Sequence, residues 1–421
     1  MPISRRTFFK GAGALLIGQA LHYNTSYAFS TTEPKAARNM RQTAGRPLLM
    51  AHYMPWYQTP EISFRWGWHW TMEHFNPRVA DENGRPEIAS HYMPLTGPYD
   101  SSDPDLLEYQ VLLMKLSGID GVIVDWYGIE NFRDYADLND ATGKLFEYIE
   151  KAGLLFSLCY EDQTVMHMVE SGHIEENERL NYGQADMTFA QEQWFTKVNY
   201  LKTNGQPLLF TFGPQYFKSA SDWETLFTGL EPQPALITLD KHNVTNALCS
   251  YPWPPMQGGV TYNRAAIEAY LSDFYRKATR KDFVVGGAFP GFHDIYEEAG
   301  VRDSYGYLDA EGGEIFHYTL QMALGQNPDI IQLITWNDYG EGTIIEPTEE
   351  FGYQYLAMLQ ETRRTFDGAD FVFTAEQLEL PLRLFNLRKT HADDSQLDEV
   401  FSKVIAGDIE SAATIIDSYS E

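Results

Sequence analysis

The sequence predicts an α/β fold: a (β/α)8 TIM barrel with a short C-terminal helical extension. Three observations predict it. Eight strand-like segments recur between residues 48 and 338, most of them separated by helical or long mixed stretches. Several are near-continuous apolar runs, as strands buried on both faces of a parallel sheet must be. A doubly wound open sheet, the competing arrangement, usually carries a Gly-rich phosphate loop after its first strand. Here that stretch reads "HYMPWYQTPEISFRWGWHW" and has none.

In order, the strand segments are "LLMAHYMPWY" (48–57), "GVIVDWYG" (121–128), "LLFSLCYED" (154–162), "PLLFTFG" (207–213), "ALITLDKH" (235–242), "GGVTYN" (258–263), "FVVGGAFPGF" (283–292) and "DIIQLITWND" (329–338). The helices between them carry end signals. "SDPDLLEYQVLLMKLSG" has Ser102 or Asp103 as cap, Pro104 in the first turn and Gly118 as stop. "NDATGKLFEYIEKAG" (139–153) starts on a capping residue and ends in Gly. "NRAAIEAYLSDFYRKATR" (263–280) ends in cations that suit a helix C-terminus. These units make residues 47–370 the barrel. Beyond it, in 371–421, "QLDEVFSKVIAGDIESAATIIDSYS" reads as two short amphipathic helices joined at Gly407.

The N-terminus has another character. "SRRTFFK" precedes an apolar run, Gly11 to Leu21, and "SYA" at Ser26 to Ala28 is a small-x-small cleavage site. Residues 1–28 read as a twin-arginine export signal, with an apolar run too short to span a bilayer, and 29–46 as a polar linker. The mature chain is expected to be periplasmic or extracellular and free of the membrane. Two cysteines, Cys159 and Cys249, make no disulfide framework and read as buried thiols. The net charge of −28 excludes nucleic acid and anionic lipid as natural partners, since a surface of that sign repels both. Abundant Tyr, Phe and Trp suit a neutral, hydroxyl-rich partner such as a polysaccharide or oligosaccharide, although most must fill the core.

Side chains at the C-terminal ends of barrel strands converge on one mouth. The ends here are polar and aromatic: His52 and Tyr53 on the first strand, Asp125, Trp126 and Tyr127 on the second, Tyr160, Glu161 and Asp162 on the third, Asp240 and His242 on the fifth, His293 and Asp294 after the seventh, and Trp336, Asn337, Asp338 and Glu341 on the eighth. Trp56 and His69 follow in the first loop. Acids and rings on one rim are what glycoside cleavage requires. One acid protonates the leaving oxygen, a carboxylate meets the oxocarbenium-like centre, and rings stack on sugar faces. Asp338 and Glu341 stand three apart, but Gly340 and Gly342 argue for a turn over a helix. Such a turn can aim both acids into one pocket. Metal motifs fail: in "HWTMEH" the His-to-Glu spacing is wrong for a zincin, and Glu314 with His317 lacks a second copy. No cofactor is expected.

"WGWHW", "IASHYMPLTGPYDSSDPDLLEYQVLLMKLSGIDGVIVDWYG", "LCYED" and "ITWNDYGEGTIIEP" resemble the family 99 glycoside hydrolases, the endo-α-mannosidases and endo-mannanases, over roughly residues 47–365. "WNDYGE" is also similar to the family 71 α-1,3-glucanases. The resemblance implies a (β/α)8 barrel with catalysis by the acid pair on the eighth strand. Glu341 falls on the acid/base and Asp338 on its partner carboxylate. In family 99 that partner is Glu and is proposed to deprotonate the sugar's own 2-hydroxyl. Here Asp338 is one methylene shorter, as in family 71. Glu161 falls near a sugar hydroxyl, and Trp56, Trp126 and Tyr127 on stacking platforms. The expectation is therefore an exported, endo-acting hydrolase of an α-linked mannan or glucan. The alternatives are a carbohydrate-binding protein on the same scaffold, or a barrel whose acids lie only on its surface.

Overall fold

The structure, a computed structural model, describes residues 45–419 except 243, 392 and 393. The export signal and nearly all of the linker lie outside the described residues. Eight parallel strands form the main sheet: β1 (Leu48–Tyr53), β2 (Gly121–Trp126), β3 (Leu155–Tyr160), β4 (Gln206–Thr211), β5 (Ala235–Leu239), β6 (Cys249–Tyr251), β7 (Val285–Ala288) and β8 (Ile330–Leu333). Their order is β6-β5-β4-β3-β2-β1-β8-β7, and the two end strands approach each other, as a barrel requires.

Strand parity sorts the side chains. Leu48, Met50, Ile123, Cys159, Phe210, Tyr251, Val285 and Ile330 fill the barrel interior as one apolar cluster. Their alternates, among them Leu49, Val122, Val124, Phe156, Leu209 and Leu333, belong to the larger core that packs against the helices. That ring includes α1 (Pro104–Ser117), α2 (Tyr135–Lys151), α3 (Gln163–Glu170), α4 (Arg179–Ala190), α5 (Ala220–Leu226), α6 (Arg264–Ala278), α7 (Glu314–Leu324) and α8 (Gln354–Asp367). Two of the expected caps act as such, whereas α2 begins four residues before the expected cap Asn139, which lies within the helix. Asp103 accepts from the Asp105 amide, Asn263 accepts from the Ala266 amide, and Gly118 ends α1 at φ +80°.

One strand differs from expectation. Residues 258–263 do not enter the barrel. Val260–Tyr262 joins Phe292–His293 and Gly306–Leu308 in a small three-stranded sheet. The sixth barrel strand is Cys249–Tyr251, three residues long and stopped by Pro252, so no apolar run announces it. No helix lies between β5 and β6 among the described residues.

The C-terminal segment forms α9 (Leu380–Thr390), α10 (Ser395–Ala406) and α11 (Ile409–Asp417), with Gly407 at φ +82° making the turn between the last two. α9 packs on α1. At that contact Arg388 forks onto Glu108, with both nitrogen–oxygen distances 2.9 Å and both side chains buried. Removing one partner strands a charge in the core. Arg388→Met should lower unfolding free energy by about 3 kcal/mol in urea titrations, and adding Glu108→Leu should recover most of the loss. Equal stability of the single variant and the parent would contradict this role.

Candidate active site

Four of the strand-end acids meet. Asp125 on β2 points into the barrel in register with Cys159 of β3, and Glu161 lies just past β3. Asp338 and Glu341 sit on the turn after β8, where the Glu341 amide donates to Asp338 Oδ1 at 3.0 Å. Burial pushes Asp338 up to about 7, against the pull of the Glu341 and Gly340 amides. Burial also pushes Glu161 up to about 7, and Asp338 adds to the rise. Glu341 is raised well above the usual carboxylate range by burial, then by Asp338 and Asp294, while the Trp253 side chain hydrogen-bonds it in the opposite sense. Asp125 is raised by burial and by Glu161 and Asp338, and neither of its oxygens has a hydrogen-bond partner. No Lys or Arg contributes to any of the four shifts. Like charges in a dry site cannot all ionise, so the group holds protons at neutral pH.

The turn that carries the pair is fixed from several sides. The Trp336 amide donates to His52 O and the Thr335 amide to Thr343 O, both at 2.6 Å, closing the loop at its base. Tyr57 Oη donates to Asn337 O at 2.9 Å and accepts from the Tyr339 amide at 3.0 Å. The Glu341 and Gly340 carbonyls accept from the His293 and Ile295 amides of the β7 loop. Gly342 has φ +66°, and a Cβ there would stand 2.8 Å from His293 O. Its glycine serves this protein–protein approach, not approach to a ligand. Beneath the loop, Glu346 accepts from Tyr99 Oη (2.8 Å), Tyr339 Oη (2.9 Å) and Gln110 Nε2 (2.6 Å). Burial still holds Glu346 up at about 7.

Beside Glu161 opens a cavity of about 740 Å³, lined by Trp66, Trp68, His69, Tyr127, Arg133, Asp134 and Tyr135 among others. Trp56 stacks on His69 with ring centres 4.1 Å apart and stands 6.2 Å from Tyr127. Burial lowers His69 to about 3, so its 3.8 Å approach to Asp134 is a contact between a neutral ring and an acid. Glu161 thus joins the acid cluster to an aromatic-walled space.

Four expected contact residues do not face this space. Tyr53 and Trp126 lie on the outward parity of their strands. Tyr53 donates to Gln110 on α1 at 2.6 Å, and Trp126 donates to Asn139 on α2 at 3.0 Å while packing on Tyr160 and Trp194. Trp336 is fully buried in the core outside the barrel. Asn337 ties Met54 through both backbone groups and Tyr99 through its hydroxyl. These four hold the mouth from behind. Asp294, expected after the seventh strand, stands beside the acid pair, as do Trp253 and Tyr296, which were not expected. Trp253 follows β6, the strand without a sequence signal. Among the other strand-end groups, His242 bonds Pro214 O at 3.3 Å, and His293 stacks on His91.

The acids set a pH-dependent stability. A carboxyl whose folded pKa lies above its unfolded value keeps a proton that the unfolded chain releases. The resulting penalty is absent below the unfolded value, grows as pH rises through the gap, and is complete above the folded value. For Asp338 the gap runs from 3.8 to about 7, and for Glu161 and Glu346 from 4.5 to about 7. The melting temperature should therefore be higher at pH 5 than at pH 8 by several degrees. Asp338→Asn should raise the value at pH 8 and flatten the slope. A melting temperature that climbs from pH 5 to 8 would contradict this.

No family model matches the chain. In sequence it is 22% identical over 322 residues to the glycoprotein endo-α-1,2-mannosidase of Rattus norvegicus, spanning 70% of this chain and 67% of that one. It is also 22% identical over 356 residues to a glycoprotein endo-α-1,2-mannosidase-like protein of Danio rerio, spanning 77% and 75%. In structure it matches the GH99 endo-α-mannosidase of Bacteroides thetaiotaomicron with a TM-score of 0.56 and 19% identity, over 76% of this chain and 98% of the other, a likeness of fold. In sequence and in fold the chain is similar to the family 99 glycoside hydrolases.

Proposed function

We propose that the chain cleaves α-linked mannan or glucan internally, with Glu341 as acid/base and Asp338 as the partner carboxylate. The observation that carries this is the single turn after β8. It presents Asp338 buried and Glu341 half-buried, joined through the Glu341 amide and without a cation among the groups that shift them. Burial and the Asp338 charge keep Glu341 protonated, as an acid that must deliver a proton to a glycosidic oxygen requires. Asp338 receives two backbone amides, which favour its ionised form and suit it to face developing positive charge at the anomeric carbon. The mannosidase relatives support a mannan over a glucan. The Asp at 338 is the feature shared with the glucanase-like motif. Glu161, His69 and Tyr127, with Trp56 stacked behind His69, are placed to hold sugars next to the pair. The same surface without turnover would be a carbohydrate-binding protein, and release of reducing ends separates the two readings. Export through the twin-arginine signal belongs to this proposal, with a mature N-terminus after Ala28 in the mass of secreted protein.

Glu341→Gln and Asp338→Asn should each lower kcat on an α-mannan by about 10³-fold while leaving oligosaccharide affinity within a few-fold. The parent rate should fall on the alkaline side as Glu341 loses its proton, and Glu341→Gln should lack that limb. Near-parental turnover by both variants on a substrate the parent cleaves would refute the assignment.

A further inference from the structure

One group of side chains inside the barrel, which shares Asp125 with the acid cluster, has no step assigned to it in the proposed cleavage. His52, Asp125 and Cys159 each stand one residue before the end of β1, β2 and β3, three adjacent strands. One ligand-capable atom from each lies within 4.8 Å of the others, and all three residues are fully buried. Their polar atoms are short of partners. His52 Nε2 and both Asp125 oxygens make no hydrogen bond. Cys159 Sγ has only Tyr251 Oη, at 3.6 Å, and that hydroxyl already donates to Thr211 O at 3.0 Å. Buried polar atoms left open in this way cost about 1–3 kcal/mol each, so a cluster of them asks for an occupant.

We propose that His52 Nε2, Asp125 and Cys159 Sγ bind one borderline-soft divalent cation of the zinc class. Imidazole, carboxylate and thiolate together are a zinc donor set, and three protein ligands leave a fourth position open. The surroundings fit. The Gln332 amide meets His52 Nδ1 at 2.7 Å. Its two ends are interchangeable in shape. With the oxygen toward the ring, Nδ1–H donates to Gln332 and Nε2 offers its lone pair to the cluster, the usual support for a metal-binding imidazole. The Trp253 ring packs edge-on against His52, with centres 4.9 Å apart, and shields the group. Bond lengths near 2.0–2.3 Å place tetrahedral donors about 3.5 Å apart, so the three side chains close by about 1 Å on binding. Binding releases the Cys159 proton to solvent and changes no oxidation state.

The test is metal binding by the whole protein, independent of any hydrolase assay. Protein stripped by a chelator and titrated with Co²⁺ should take one equivalent. It should develop tetrahedral visible bands and a thiolate-to-metal charge-transfer band, and Zn²⁺ should displace the cobalt. Cys159→Ser should abolish the charge-transfer band and weaken binding at least about tenfold, while Cys249→Ser, which alters the other buried thiol, should leave both unchanged. Circular dichroism confirms that each variant is folded. Two results would overturn the proposal. One is no stoichiometric uptake of the metal. The other is uptake indifferent to Cys159→Ser, the behaviour of an adventitious ion on a surface of net charge −28.

Discussion

The structure turns on the desolvation of carboxyl groups. Asp125, Glu161, Asp338 and Glu341 are gathered at the end of a parallel barrel where water is scarce and no cation answers them. Such a cluster works against folding, because each additional ionised carboxylate raises the cost of the others. It persists because the barrel and its helices over-determine the positions of the strands that carry it. What is unfavourable for stability is useful for chemistry. In the proposed mechanism, a group of acids that cannot all ionise keeps a proton available for the leaving oxygen.

The turn after β8 shows how the strain is held. Its base is closed by amide–carbonyl bonds to β1 and within the loop, its middle is threaded by Tyr57, and its far side is sewn to the β7 loop at Gly342. Glu346 is a second buried acid with a different task. Three donors meet its oxygens, and one of them, Gln110, also receives Tyr53 from β1. Buried acid thus occurs twice in one loop: in Glu346, held by three side-chain donors, and in Asp338, held by backbone amides beside Glu341. The aromatic-walled cavity opens on the Glu161 side, giving the site a direction along which a chain of sugars can extend.

Much of this was legible in the sequence. Long apolar runs marked seven barrel strands, and Gly340 and Gly342 marked a turn and not a helix. The sixth strand was illegible because it is three residues long, lies between a polar loop and Pro252, and has no helix before it. The contact residues failed for a different reason. Adjacent residues on a strand face opposite sides, so Asp125 reaches the mouth while Trp126, one position on, packs against α2 and α4. The same parity sends His52 inward and Tyr53 outward. Composition at a strand end indicates a site; only register says which side chains enter it. His52, Asp125 and Cys159 come from three strands and share no linear spacing, so no motif search finds them.

The most direct measurement is a crystal structure of the Glu341→Gln variant with an α-linked manno-oligosaccharide. The account predicts a sugar ring seated against Asp338, its glycosidic oxygen within hydrogen-bond reach of the side chain at 341, and a neighbouring sugar on the side of Trp56 and Tyr127. An oligosaccharide bound elsewhere, with the acid turn covered by protein, would contradict it.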